Sequence, residues 1–198
     1  MLNTVGQKSI YKLLKKYEFE PDHADQVQNL SLLIFDKTQG ILHNFSVFER
    51  DLLEAGALLH DIGYFVSGIE HNKYSYELIT QDVLEGFNFE EREIIGNIAR
   101  YHRGKKPQKS HSCYAKFDRK TKILIRKLSA ISRLADGLDR SHISIVEDLD
   151  CVYDSFSQIL HILIKLSIPD CSSEIWAAEK KKDMFEKEFK VQVKFRIK

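Results

Sequence analysis

Residues 58–71 read LLHDIGYFVSGIEH. The leucines close an apolar helical pattern that starts near Val47. Where that pattern calls for more leucine, the chain places His60 and Asp61 side by side, and His71 follows at the end of the stretch. A buried polar group without a partner costs about 1–3 kcal/mol, and a carboxylate costs more. The stretch therefore predicts that other polar groups meet this doublet inside the fold.

Helices supply them. Apolar residues recurring at spacings of three and four predict helices over Thr4–Tyr17, Asp22–Thr38, Val47–Ile62, Lys73–Leu84, Glu90–His102 and Asp118–Leu138. His23 shares a face with Val27, Leu30 and Ile34, and His60 with Leu53 and Ala57. His102 follows Ile95 and Ile98, and Asp136 lies beside the stripe of Ile125, Leu128 and Ser132. A lone histidine on an apolar face is more often a hydrogen-bonded core residue, but these recur on four helices, all turned inward. One divalent ion satisfies them together, and imidazole with carboxylate and no thiolate favours manganese, iron or zinc over a soft-metal centre. Gly63 and Gly104 read as C-terminal caps of two helices, Gly63 letting the backbone turn away so that His60 and Asp61 reach one ion.

Beyond about residue 140 the period changes to two. In QILHILIKLSI, residues 158–168, Leu160, Ile162, Ile164, Leu166 and Ile168 share a face; KVQVKFRIK, residues 190–198, turns Val191, Val193, Phe195 and Ile197 inward. A helix over Ser173–Phe189 joins them, with a further strand near Leu149–Tyr153. The expected fold is mainly α: a helical domain over 1–141 carrying a small C-terminal α+β extension over 142–198, with two or three short strands and one helix packed on it. Trp176, Phe185 and Phe189 read as packing between that helix and the sheet, and Lys180–Lys182 as an exposed helix face.

The 198 residues suffice for one good core. A net charge of +1 gives no general attraction to nucleic acid or acidic membranes, so nucleic acid is not an expected partner and any anion site must be local. Cys113, Cys151 and Cys171 form no C-x-x-C, which argues against a disulfide framework or thiolate zinc and for a reducing compartment. The opening MLNTVGQKSIYKLLKKYEF lacks the apolar core of a signal peptide, and no apolar run approaches the roughly 20 residues of a membrane span. A cytoplasmic location is expected.

The order His23, His60-Asp61, Asp136 resembles that of the HD superfamily of metal-dependent phosphohydrolases, an all-helical fold named for the doublet. DHADQVQNLSLLIFD (22–36), AGALLHDIGYFVSGIEHNKYSYELI (55–79), IGNIARYHRGKKP (95–107) and LSAISRLADGLDRSH (128–142) are similar to the C-terminal HD-type domain of the exopolyphosphatase and guanosine-pentaphosphate phosphatase (Ppx/GppA) family. So is the tail SEIWAAEKKKDMFEKEF with its final strand, and the resemblance runs from about residue 5 onward. It implies His23, His60, Asp61 and Asp136 as ligands of a divalent ion, manganese, iron, zinc or magnesium. His71 and His102 fall where two-metal members place additional histidines, so a second ion is admitted, although HNKY at 71–74 has asparagine and tyrosine where many relatives carry histidines. Family members also carry two actin-like lobes that cleave the phosphate chain. The present sequence has none of their glycine-rich phosphate loops, so exopolyphosphatase activity of that kind is not expected from it.

The implied chemistry is hydrolysis of a phosphoester or phosphoanhydride such as a nucleotide or polyphosphate. A metal with an open position lowers the pKa of water to about 7. Asp61 and His60 are the expected catalytic residues, Asp61 orienting that water or taking its proton. Arg103, Lys105 and Lys106, immediately after His102, with Arg133 and Arg140 around Asp136, are the candidate phosphate-binding cations. The alternative is a non-catalytic module that binds polyphosphate or nucleotide or mediates dimerisation. The enzyme reading is preferred, with a phosphorylated small molecule or polyphosphate as partner and a homodimer compatible with it.

Overall fold

A computed structural model describes residues 4–17 and 20–198; the reading of residues 1–3, 18 and 19 lies outside it. The helical part comprises α1 (Thr4–Tyr17), α2 (Pro21–Thr38), α3 (Val47–Leu58), a 3-10 turn over Ile62–Phe65, α4 (His71–Gln81), α5 (Phe89–Tyr101), the short α6 (Ser112–Ala115) and α7 (Arg119–Gly137). Local chemistry fixes their starts. Ser46 with Glu49, and Asn88 with Glu91, form reciprocal capping boxes for α3 and α5, Asp118 accepts from the Thr121 amide at 2.7 Å to open α7, and Pro21 sits in the first turn of α2.

The expected helix over Val47–Ile62 ends at Leu58, which leaves His60 and Asp61 in a turn between α3 and the 3-10 segment. Gly63 is not a left-handed cap. A Cβ on it would lie 2.0 Å from the His71 carbonyl oxygen, so its role is close approach of the 3-10 turn to α4. Gly104, at φ 65°, does take the left-handed conformation expected of a cap.

The C-terminal part contains β1 (Val146–Asp154), β2 (Ile159–Leu166), α8 (Ser172–Lys181), α9 (Asp183–Phe189) and β3 (Gln192–Ile197). The sheet order is β1-β2-β3: Cys151 pairs with Ile162 in the antiparallel β1–β2 ladder, and Ile162 with Phe195 in the parallel β2–β3 ladder. A parallel pair needs a crossover, which α8 and α9 provide. Leu160, Ile162 and Ile164 are fully buried as expected, whereas Ile168 lies past the end of β2 and is exposed. The single helix expected over Ser173–Phe189 is broken at Lys182, which ends α8 and begins α9. Nine residues of helix turn Trp176 about half a revolution away from Phe185, so Phe185 and Phe189 pack with ring centroids 4.4 Å apart while Trp176 is 62% exposed and outside that cluster.

The protein is thus mainly α with a short α+β piece. α7 is its spine, touching α2, α3, α5, α8 and α9, with Ile125, Leu128, Ile131 and Leu134 fully buried. One apolar cluster runs from Ile10 on α1 to Val193 on β3 and takes in both parts of the chain. Among the described residues no helix is long and apolar enough to cross a membrane.

Candidate metal centre

Four histidines reach one place from different elements. His23 lies in the first turn of α2, His60 in the turn after α3, His71 at the first position of α4, and His102 caps the C-terminus of α5. All four are at most 2% exposed. Each commits Nδ1 to an acceptor behind it: His60 to the Ala57 carbonyl at 2.7 Å, His71 to Gly68 at 3.1 Å, His102 to Ala99 at 2.6 Å, and His23 to the Asp139 carboxylate at 2.8 Å. These bonds assign the proton to Nδ1 and turn the Nε2 lone pairs toward the centre, as outer partners of metal-binding imidazoles do.

Asp61 sits where those lone pairs converge. Its Oδ1 is 3.1 Å from Nε2 of His71 and 3.3 Å from Nε2 of His102; its Oδ2 is 3.4 Å from Nε2 of His60 and 3.8 Å from Nε2 of His23. Two three-residue groups therefore share one carboxylate: His23, His60 and Asp61 on one side, and Asp61, His71 and His102 on the other. In each, the three donor atoms lie within 4.8 Å of one another. Asp136, on the last turn of α7, joins the first side, its Oδ1 3.6 Å from Nε2 of His23.

Not every polar atom of this arrangement is satisfied by the chain itself. Nε2 of His23 and of His60 approach to 3.2 Å, a distance at which two lone pairs repel unless a proton or a cation lies between them. Buried Asp61 Oδ1 makes no hydrogen bond. Burial would raise the Asp61 pKa, yet the surrounding His60, His71 and His102 hold it well below the ordinary carboxylate value. Burial likewise opposes ionisation of Asp136, and the Lys181 ammonium and His23 overcome it. Burial also lowers His23, but bonds to Asp136 and Asp139 prevail and carry it up to about 9, whereas His102, without such a bond, is pushed down to about 3. The orphaned Asp61 oxygen and the crowded Nε2 atoms fit a divalent ion on either side of Asp61.

A cleft of about 500 Å³ opens over the cluster. Asp61, His71, His102 and Asp136 line it, while His23 and His60 lie beneath it and line none of its wall. The Asp61–His71–His102 side is thus the one facing the cleft. Of the five expected phosphate-binding cations, Arg103, Arg133 and Arg140 line the cleft. Lys105 and Lys106 do not. Lys106 pairs with Asp183, and Lys105 lines a neighbouring cavity beside Glu70 and Lys73, because the chain leaves the cleft at Gly104. Arg103 Nη1 lies 3.2 Å from Nε2 of His71, and Arg133 donates to the Gly104 carbonyl at 3.1 Å. A cavity of about 560 Å³ beside Phe48, Asn88 and Lys120 contains no histidine.

Several contributors escaped the sequence reading. Lys181 is not on an exposed face: it pairs with Asp136, and Lys182 donates to the Val193 carbonyl at 2.9 Å. Asp139 orients His23 and is itself held by the Ser144 amide at 2.9 Å. His142 stacks on His23 with centroids 3.7 Å apart and planes 3° from parallel, and Tyr64 stacks on His71 at 3.7 Å. Asp139 was open to detection, since it lies one helical turn after Asp136 and so near the same face. Lys181 carried no local signal. Residues 5–170 of the chain match a family model described as Ppx/GppA phosphatase, domain III.

Proposed function

We infer function from one fact: the chain belongs to the Ppx/GppA phosphatase family, as a domain III. We propose that it is a metal-dependent phosphohydrolase with an HD-type site, acting on a phosphoester or phosphoanhydride such as a nucleotide or polyphosphate. The geometry that supports the reading is the buried Asp61 carboxylate, one oxygen of it without a hydrogen bond, between two pairs of inward Nε2 atoms at the floor of a cleft walled by arginines. His23, His60, Asp61 and Asp136 would hold one ion and Asp61, His71 and His102 a second.

When bound, such an ion supplies Lewis acidity toward a phosphoryl oxygen and makes water acidic enough to react near neutral pH. The chain's own residues do the rest. Arg140, exposed on the cleft wall, and Arg103 offer planar guanidinium groups to the phosphate charge. Asp61, kept ionised by the imidazoles around it, accepts a hydrogen bond from a water in the cleft and orients it. His60, beneath the floor, serves as a ligand and not as a group that touches substrate.

The test is elemental analysis of protein purified without chelator, together with phosphate release from a panel of nucleotides and polyphosphate. Wild type is expected to hold one or two ions per chain and to release phosphate. Asp61→Ala should lose both. Arg140→Ala should keep the ions and lose release by about tenfold or more, a result that a misfolded protein would not give. A folded wild type that takes up no ion under replete conditions would overturn the reading, and full metal without turnover on any phosphate would reduce the chain to a binding module.

A further inference from the structure

Exposed apolar residues scattered singly need no explanation, but Trp176 lies on the wall of the same cleft as Asp61, His71 and His102. Its indole is 62% exposed, and Lys180, one turn further along α8, places its ammonium 5.9 Å from the ring centroid. That is within cation–π range, with the ammonium over one face of the indole. α8 is pinned at this point. A Cβ on Gly137 would lie 2.9 Å from the Ala178 Cα, so α8 meets α7 backbone to backbone immediately beside Asp136. Ala177 and Lys181 share the cleft-facing side with Trp176 and Lys180. The aromatic face is thus carried by a rigid element and set into a wall that is otherwise dominated by charge.

An inorganic phosphate chain has no use for an indole face, because it offers only charged oxygens to its surroundings. A nucleotide has use for both kinds of wall, with its phosphates on the arginines and its base on the ring. Bases stack on aromatic side chains whatever their identity, since every base has a π-face. The cleft volume of about 500 Å³ falls within the range of small-molecule sites, about 300–1,000 Å³.

Resting on the phosphohydrolase reading above, we infer that the substrate is a nucleotide whose base stacks on Trp176, with Lys180 beside it, and that α8 selects nucleotides over inorganic polyphosphate. Trp176 lies beyond residue 170, outside the span matched by the family model. It is also the only tryptophan in the sequence, so its fluorescence reports on this wall alone.

The experiment titrates manganese-loaded protein with the non-hydrolysable imido analogues of guanosine triphosphate, adenosine triphosphate and inorganic tripolyphosphate, following Trp176 fluorescence and, in parallel, heat of binding. Saturable quenching by both nucleotides is expected, with tripolyphosphate displacing them and binding more weakly. Trp176→Ala should weaken nucleotide binding by between about fivefold and 100-fold and leave tripolyphosphate unchanged; Trp176→Phe should restore most of the loss. If tripolyphosphate competes but binds as tightly as the nucleotides in wild type and in Trp176→Ala alike, the inference is overturned while the phosphohydrolase reading stands. If none of the three binds while phosphate is released from another phosphoester, the inference alone is overturned; if the folded protein also takes up no manganese, both are.

Discussion

His43 and His102 are both buried, and they spend their ring nitrogens differently. His43 donates from Nε2 to the Phe35 carbonyl at 3.1 Å and accepts at Nδ1 from the Phe45 amide at 3.3 Å, between the rings of Phe35 and Phe45. Both of its nitrogens are satisfied by the chain, so it is a structural residue, whereas His102 leaves Nε2 facing Asp61. Burial, with a smaller effect from nearby Lys127, lowers the His43 pKa. The unfolded chain takes up that proton near pH 6.5, and the folded chain only at lower pH, so this contribution to stability is full above about pH 6.5 and declines as pH falls below it. In metal-free protein, His43→Gln is expected to flatten the loss of unfolding free energy between pH 6.5 and 5. His102, pushed down to about 3, would sustain part of the decline. An unchanged slope in denaturant titrations would show that folded His43 protonates as easily as unfolded. The convergence of His23, His60, His102 and Asp136 could be read from position, because each interrupts an apolar stripe. Rotamer and partner could not be read, since they depend on carbonyls and carboxylates elsewhere in the fold.

At the scale of elements, helix interiors were legible and helix ends less so. The stripes of α1, α2 and α7 gave boundaries to within a few residues, because periodicity averages over many positions. The end of α3 was missed by four residues, since Leu59 and Ile62 continue the apolar pattern after the hydrogen bonding has changed. The two glycines read alike as caps act through different physics, and substitution separates them. Gly63→Ala would place a Cβ 2.0 Å from the His71 oxygen and 2.4 Å from the Ser75 nitrogen, both backbone atoms that cannot swing aside. It is expected to cost about 3 kcal/mol or more and to displace His71. Gly104→Ala meets nothing closer than 3.7 Å and pays only for its left-handed backbone, about 1–2 kcal/mol. Equal unfolding midpoints for the two variants would show that the approach of the 3-10 turn to α4 is not tight. The break at Lys182 had no signal in periodicity, because KKKD continues a helical composition through it.

At the scale of the whole molecule, the site is a long-range object. His23 meets Asp139 across 116 residues and Asp136 meets Lys181 across 45. An ion bound only by the folded chain stabilises it by mass action, about 2.7 kcal/mol at a hundredfold excess over its dissociation constant. For a chain of this size that raises the unfolding midpoint by about 5–10 °C. Manganese or zinc should produce that rise over chelator-treated protein, and Asp61→Ala should abolish it; an equal rise in the variant would place the bound ion elsewhere. The sequence revealed that a helical part and an α+β tail share one molecule. That the tail forms one wall of the cleft was not readable, because nothing local ties Asp136 to Lys181.

That pairing bears on how the protein is made. Synthesis reaches Asp136 45 residues before Lys181, an interval of roughly 2–9 s at about 5–20 residues per second. Throughout it, Asp136 on the inward face of α7 has His23 beside it while its ammonium partner has not yet been translated. α8 is therefore the last wall of the cleft to be made, and it brings Asp136 a second charged partner after His23.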